Sequence, residues 1–323
     1  MRNPSSIFSF SRENPLAGLL LFAIAVLIIE TALAFLPQNA LITALGTNRL
    51  PDRSPDWQIM GDSVAEGGIP ANQLAEKLSS GTSVANVALS ASGPEFPYFI
   101  LKREIAAGIV PKAIIYAPSP HTFGTKRIAL LAGAYATWPE IAEIATARND
   151  PFEVLYGVIC KLSSSLRHRE HLAALMKGRR MAPDGERPAA IESAPPATKN
   201  NAPSFTLDRV HPMYRRRFDI TPFNLHFARK FLAEAKARDI PIYWVVMPVL
   251  DVIQEVRKPY QFDENYARFL KDIQGQYGVT LLIPRGEVLP PENFMDYAHL
   301  NPRGAALFTQ KLADRLRTVA PQK

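Results

Sequence analysis

Residues 57–63 read Trp57-Gln58-Ile59-Met60-Gly61-Asp62-Ser63. A short apolar run halted at a glycine reads as a buried strand, and here it delivers an acid and a hydroxyl directly beyond its end. Working outward, Pro70 to Leu78 reads as a helix with proline in its first turn, and Val84 to Leu89 as a second strand. A helix from about Glu95 to Ala107 leads to a third strand, Lys112 to Ala117 (KAIIYA), which Pro118 stops. Helical patterns then occupy 127–147, 152–165 and 168–178. The alternation resumes with a helix over 222–237, a strand from Ile242 to Met247, a helix over 262–276 and a strand from Val279 to Ile283. A last helix opens at Asn301-Pro302, with Asn301 as N-cap and apolar Phe308, Leu312 and Leu316 recurring every four residues. Five strands separated by helices predict a mainly parallel sheet covered on both faces, a three-layer α/β/α sandwich with its chemistry at the carboxyl ends of the strands.

The chain has 323 residues, which a prior of roughly 150 per domain would divide in two. Setting aside the N-terminal 36 residues and a Pro/Ala/Ser/Asn-rich stretch at 181–204 leaves one large α/β domain, spanning 56–320 with an irregular or disordered excursion at 181–204. With 47% hydrophobic and 21% charged residues the composition supports a buried core and excludes a disordered, collagenous or coiled-coil protein. A single cysteine excludes an intrachain disulfide and a Cys-based zinc cluster. The net charge of +7 is scattered, with clusters at Arg167-His168-Arg169, Lys177 to Arg180 and Arg215-Arg216-Arg217. None is interleaved with aromatics in a nucleic-acid module, so no nucleic-acid partner is expected. They read as solvated faces or as contacts to anionic lipid headgroups or an acidic glycan.

From Pro15 to Leu36 the sequence is apolar except for Glu30. At 1.5 Å per residue this run spans the ~30 Å hydrocarbon core of a bilayer. The competing reading is a cleaved signal peptide, with Arg2 and Arg12 as basic head and Ala32-Leu33-Ala34 as cleavage site. The run exceeds a usual signal-peptide core, which favours an anchor: a cytoplasmic head at 1–14, one transmembrane helix at 15–36 and a linker at 37–55. Either reading exports the bulk of the chain. The expected location is a bacterial inner membrane, single-pass, with the domain in the periplasm.

Ser63 occupies a position suited to a nucleophile, but a serine hydroxyl needs a base to take its proton and a third group to hold that base. Asp296-Tyr297-Ala298-His299 offers such a pair near the other end of the chain. A spacing of three can bring the carboxylate to the far imidazole nitrogen, and the cap at Asn301 fixes the pair just before the last helix. A Gly-Asp-Ser tripeptide is commonly only a turn, and an Asp/His pair is commonly a surface feature. Their placement after the first strand and before the last helix of one α/β chain is the more specific signal.

In that combination the sequence resembles the SGNH/GDSL hydrolase superfamily over roughly residues 56–318, and with it the flavodoxin-like SGNH fold. The resemblance implies Ser63 as nucleophile, His299 as general base and Asp296 as its orienting partner. It implies an oxyanion hole that uses the backbone N–H of Gly93, in Ser90-Ala91-Ser92-Gly93 after the second strand. A departure follows the third strand: where the family shows Gly-x-Asn-Asp, this chain reads Tyr116-Ala117-Pro118-Ser119-Pro120-His121. No asparagine is available there, leaving Ser119 or His121 as substitute donors or as plain loop residues.

Divergent third blocks also occur in membrane-anchored relatives concerned with acylation of cell-envelope polymers, whose pattern this chain resembles more than that of secreted lipases. The implied function is an exported, membrane-anchored serine esterase or O-acyltransferase acting on acyl esters of a cell-envelope glycan or related polymer. Its implied partners are that polymer, membrane lipid and, for transfer, a multi-spanning acyl-donor protein. The alternative is a non-catalytic SGNH-like binding or assembly protein in an envelope polysaccharide machine. No cofactor is expected, because neither a G-x-x-x-x-G-K-[ST] loop nor a G-x-G-x-x-G fingerprint occurs. No G-x-S-x-G elbow surrounds Ser63. His168 and His171 share one side of an expected helix but lack a third ligand, so no metal is expected.

Overall fold

The computed structural model describes residues 15–34, 50–90, 92–124, 135–148, 151–163 and 205–319. The expected helix at 168–178, its His168 and His171, the excursion at 181–204, the head at 1–14 and most of the linker lie outside the described residues. Five strands form one sheet: β1 (Trp57–Gly61), β2 (Val84–Asn86), β3 (Ala113–Ala117), β4 (Ile242–Val245) and β5 (Thr280–Ile283). Their order is β2-β1-β3-β4-β5 and every neighbouring pair is parallel. The helices are α1 (Pro15–Ala34), α2 (Ser63–Gly68), α3 (Ala71–Leu78), α4 (Glu95–Ala106), α5 (Trp138–Arg148), α6 (Pro151–Leu162), α7 (Pro222–Ala237), α8 (Asp251–Arg257), α9 (Phe262–Tyr277) and α10 (Pro302–Val319).

Alternation along the central strands divides the core in two. Met60, Ile114, Tyr116, Ile242 and Trp244 face one cluster, filled by Phe96 and Phe99 of α4, Phe227 and Phe231 of α7, and Tyr266 and Leu270 of α9. Ile59, Ile115, Ala117, Tyr243 and Val245 face the other, filled by Val64 of α2, Leu74 of α3, Ile253 of α8, and Phe308 and Leu312 of α10. The apolar runs of β1, β3 and β4 are therefore continuous because both faces are covered, as parallel sheets require. Buried Trp244 meets its polar obligation by donating its Nε1–H to Tyr266 Oη at 3.0 Å.

Local chemistry sets the element ends. Thr221 Oγ1 accepts from the Asn224 N–H at 3.1 Å to start α7, with Pro222 next in the chain. Asn301 Oδ1 accepts from the Gly304 N–H at 3.0 Å to start α10, as its sequence predicts. The expected strand Val84–Leu89 shortens to Val84–Asn86. Asn86 turns its side chain onto the carbonyls of Ala65 and Ile69 and accepts from the Ala88 N–H, which breaks the regular pleat. The backbone nevertheless stays alongside β1, since the N–H groups of Val87 and Leu89 still donate to Ile59 and Gly61 carbonyls. β4 likewise ends at Val245 rather than Met247, where its register to β5 shifts.

The order reverses at β1, whose neighbours β2 and β3 are reached by connections running to opposite sides. Such a switch point opens a crevice beyond the carboxyl ends of the strands, and Ser63 stands at it. Gly61 makes this junction possible, because a Cβ there would lie 2.5 Å from the Ala117 carbonyl oxygen and 2.8 Å from the Ala65 Cβ. Neither neighbour is the end of a flexible side chain. Gly61→Ala should accordingly destabilise the protein by about 1–3 kcal/mol through overpacking. Gly275→Ala, at an exposed position of α9 with no atom within 4 Å of the added carbon, should instead stabilise by up to about 1 kcal/mol. Urea unfolding of both variants checks the two signs.

Candidate active site

Ser63 opens α2 immediately after β1, and as first helical residue it presents a backbone N–H with no acceptor inside the helix. Asp62 is the N-cap. Its carboxylate, only 3% exposed, accepts from the Val64 N–H at 3.1 Å through Oδ1 and from the Ser119 N–H at 3.0 Å through Oδ2. One acid thus fixes the loop after β1 to the loop after β3. Burial pushes its pKa up to about 6, against the opposing pull of those N–H bonds and of the His299 charge.

The loop between Phe294 and Leu300 carries the other groups. These two buried residues form an antiparallel bridge at its base, and the Met295 N–H donates to the His299 carbonyl at 2.8 Å. Asn301 adds a clamp by donating its side-chain N–H to the Glu292 carbonyl at 2.7 Å. Within the loop, Asp296 Oδ1 accepts from the N–H groups of Ala298 and His299, both at 2.8 Å. The carboxylate also contacts His299 Nδ1, at 2.9 Å through Oδ1 and 2.8 Å through Oδ2. The opposite ring nitrogen, Nε2, lies 2.8 Å from Ser63 Oγ. Residues separated by 236 positions in the chain therefore form one relay of carboxylate, imidazole and hydroxyl.

The electrostatics fit that relay. The Asp296 hydrogen bond raises the His299 pKa above its ordinary value, with burial opposing. Burial raises the Asp296 carboxyl, but hydrogen bonds from the imidazole and from two backbone N–H groups outweigh it and leave the pKa below its usual value. The carboxylate is thus ionised at neutral pH and available to stabilise an imidazolium.

The remaining expected residues divide. Gly93 borders a closely packed crevice with Gly61, Asp62 and Ser92, but its N–H donates to Glu95 Oε1 at 3.1 Å. That N–H is therefore committed to a side chain in this structure. A Cβ at Gly93 would lie 2.4 Å from Glu95 Oε2, so the glycine admits the carboxyl group. Ser119 gives its N–H to Asp62 and borders a narrow cleft beside Val64 and Ala298. His121 is only 3% exposed, stacks on Phe262 at 4.7 Å between centroids and sets its Nε2 against Arg257 Nη2. It stands in the cleft's inner wall, tied to a guanidinium, which is not the setting of a donor at Ser63.

Two participants escape a reading by motif. Asp62 is visible in the sequence, but its tie to Ser119 depends on β1 and β3 being neighbours. Arg257 ends α8, a short helix that no strong periodicity announces. Among the described residues no group of three or more His, Cys, Asp or Glu side chains is arranged to hold a metal ion.

No protein-family model and no curated protein matches the chain. A solved structure described as a "putative platelet activating factor from Streptococcus pneumonia" is similar at 13% identity, covering 95% of this chain and 99% of that one, with a TM-score of 0.33. A likeness that slight bears on neither fold nor function.

The relay gives a signed expectation for pH. Attack by Ser63 requires unprotonated His299, so the rate of serine modification should fall as pH drops through a midpoint above the ordinary histidine value of about 6.5. Asp296→Asn should lower that midpoint as well as the rate, because it removes the group that raises the pKa. A pH profile of labelling by a serine-reactive phosphonate checks both. A midpoint unmoved in Asp296→Asn would assign the ionisation to Asp62 instead.

Proposed function

We propose that this protein is a serine esterase or O-acyltransferase of the SGNH/GDSL type, exported and membrane-anchored, acting on acyl esters of a cell-envelope glycan or related polymer. The observation that carries the chemistry is the continuous relay from Asp296 through His299 to Ser63. In this reading Ser63 Oγ bonds to the acyl carbonyl carbon while His299 Nε2 takes the hydroxyl proton, and Asp296 stabilises the resulting imidazolium. The carbonyl oxygen becomes an oxyanion, for which the Ser63 N–H, without an acceptor inside α2, is a donor. Collapse breaks the ester C–O bond and the leaving alkoxide takes the proton from His299, giving an acyl-enzyme and a free hydroxyl. Water or a sugar hydroxyl then attacks the same carbonyl and loses its proton to His299, which returns it to the departing Ser63 oxygen as the acyl C–O bond breaks. Exclusion of water and positioning of the acceptor decide between hydrolysis and transfer.

Fold and sequence lend further support. The β2-β1-β3-β4-β5 order, covered on both faces, is that of a flavodoxin-like three-layer sandwich. For the anchor, Pro15–Ala34 forms one 20-residue helix, and Leu19, Leu20, Phe22, Leu27 and Ile28 are each more than 60% exposed. Among the described residues no helix is long and apolar enough to cross a membrane. The anchor, the periplasmic location, the polymer and a multi-spanning acyl donor thus rest on the sequence and its resemblance. A non-catalytic assembly role draws support from the absent third-block asparagine and from the engagement of the Gly93 N–H with Glu95.

The two readings part under a fluorophosphonate probe followed by peptide mass spectrometry. The catalytic reading expects the adduct on Ser63. It also expects His299→Ala and Asp296→Asn each to slow labelling by orders of magnitude, about 10³-fold or more for the histidine, at nearly unchanged thermal stability. The double variant should cost little more than the worse single change, because the two act as one unit. An unmodified Ser63, or normal labelling in His299→Ala, favours the assembly role.

A further inference from the structure

Beside the nucleophile lies a narrow cleft of about 30 Å³, bordered by Val64 and Ala298, the chain neighbours of Ser63 and His299. Its inner wall includes His121, Tyr214 and Arg257. The Arg257 side chain is 5% exposed and sits over the ring of Phe262 at 4.6 Å and that of Tyr214 at 5.6 Å. Among the described residues its ion-pair partner is Asp263, at 3.6 Å from Nη1, with a side chain 47% exposed to water. The other acids near the cleft are already committed, Asp62 to two backbone N–H groups and Asp296 to His299.

The hydrogen-bond inventory is lopsided. Arg257 Nη2 donates to His121 Nε2, and since guanidinium can only donate, the imidazole accepts there and carries its proton on Nδ1. Among the described residues that Nδ1–H is buried without a partner, and so is the Nε–H of Arg257. Burial, with the charges of Arg257 and Arg216, holds the His121 pKa well below its ordinary value, in keeping with a neutral ring. The wall therefore holds a full positive charge and a surplus of donors in a poorly hydrated place, with one half-solvated acid as counter-ion. Leaving such groups uncompensated is costly, and a guanidinium fork matches the paired oxygens of a carboxylate or phosphate.

We propose that Arg257, positioned by His121, forms an anion-recognition subsite beside Ser63 that takes a carboxylate or phosphate carried by the acyl donor or acceptor. The assignment of this anion to a substrate rests on Ser63 being the reacting group, whereas the subsite itself does not. An anion in the cleft would meet Arg257 while its ester lay toward Val64 and Ala298. The subsite thereby narrows the reaction from acyl esters in general to one whose donor or acceptor bears an acidic group.

Calorimetric titration of the full chain carrying Ser63→Ala, which binds without turnover, tests this with monomethyl glutarate, methyl phosphate and uncharged methyl butyrate. At least one anion should bind saturably and methyl butyrate much more weakly; whichever anion binds tighter identifies carboxylate or phosphate. Arg257→Gln in the same background should weaken anion binding by about tenfold or more. Asp263→Asn, at a side chain half in water and so safe for folding, should tighten it several-fold by releasing the guanidinium from its competitor. Equal binding of methyl butyrate, no binding of either anion, or anion affinity unaffected by Asp263→Asn would overturn the subsite. Phosphonate labelling of the unmutated chain reports separately on Ser63, so an inert serine with anion binding intact would refute the catalytic reading and leave the subsite standing.

Discussion

A single buried carboxylate organises the top of the sheet. Asp62 accepts from Val64 on the helix that begins with Ser63 and from Ser119 on the loop after β3. Hydrogen bonds to an ionised acceptor are worth roughly twice neutral ones, and both are shielded from water here. They fix the start of α2 relative to β3, and hence the hydroxyl relative to everything that must meet it. Gly61 is the companion constraint, since only a residue without Cβ lets β1 pass the Ala117 carbonyl on the way to Asp62.

The histidine loop is held by different means. Its base is closed by buried Phe294 and Leu300, its interior by the Asp296 carboxylate, and its exit by Asn301, which caps α10 and clamps the preceding turn. Tyr297 fastens its outer side, accepting from the Thr206 N–H and donating to the Thr206 carbonyl, both at 3.1 Å. Gly304 brings the helix start against the same turn, because a Cβ there would lie 2.2 Å from the Asn293 carbonyl oxygen. One half of the relay thus starts a helix and the other stands on a loop tied down at its base, interior and exit, as directed proton transfer requires.

What the sequence makes legible is what short-range chemistry dictates. The continuous apolar runs of β1, β3 and β4, the proline at the start of α7 and the Asn301 cap are each written in a few adjacent residues. The Gly-Asp-Ser and Asp-x-x-His elements are local too, and the sheet order turns them into neighbours. Where side chains reach across the fold the reading fails. The Asn86 amide ends β2 early by bonding to Ala65 and Ile69, about twenty residues away. Glu95 takes the Gly93 N–H with a carboxyl that the Tyr135 hydroxyl, forty residues on, holds by donating to the same oxygen at 3.0 Å. His121 looks like a loop donor in sequence and becomes a buried acceptor because α8 carries Arg257 to it.

The central claim is that His299 and Asp296 make Ser63 a nucleophile toward an acyl carbonyl. Its most direct measurement is rapid-quench mass spectrometry of the intact chain mixed with p-nitrophenyl acetate. The account predicts a burst of nitrophenol stoichiometric with protein, matched by one acetyl group on Ser63 that then decays, and neither in Ser63→Ala. Release of nitrophenol without a burst, at the same rate in Ser63→Ala, would contradict it.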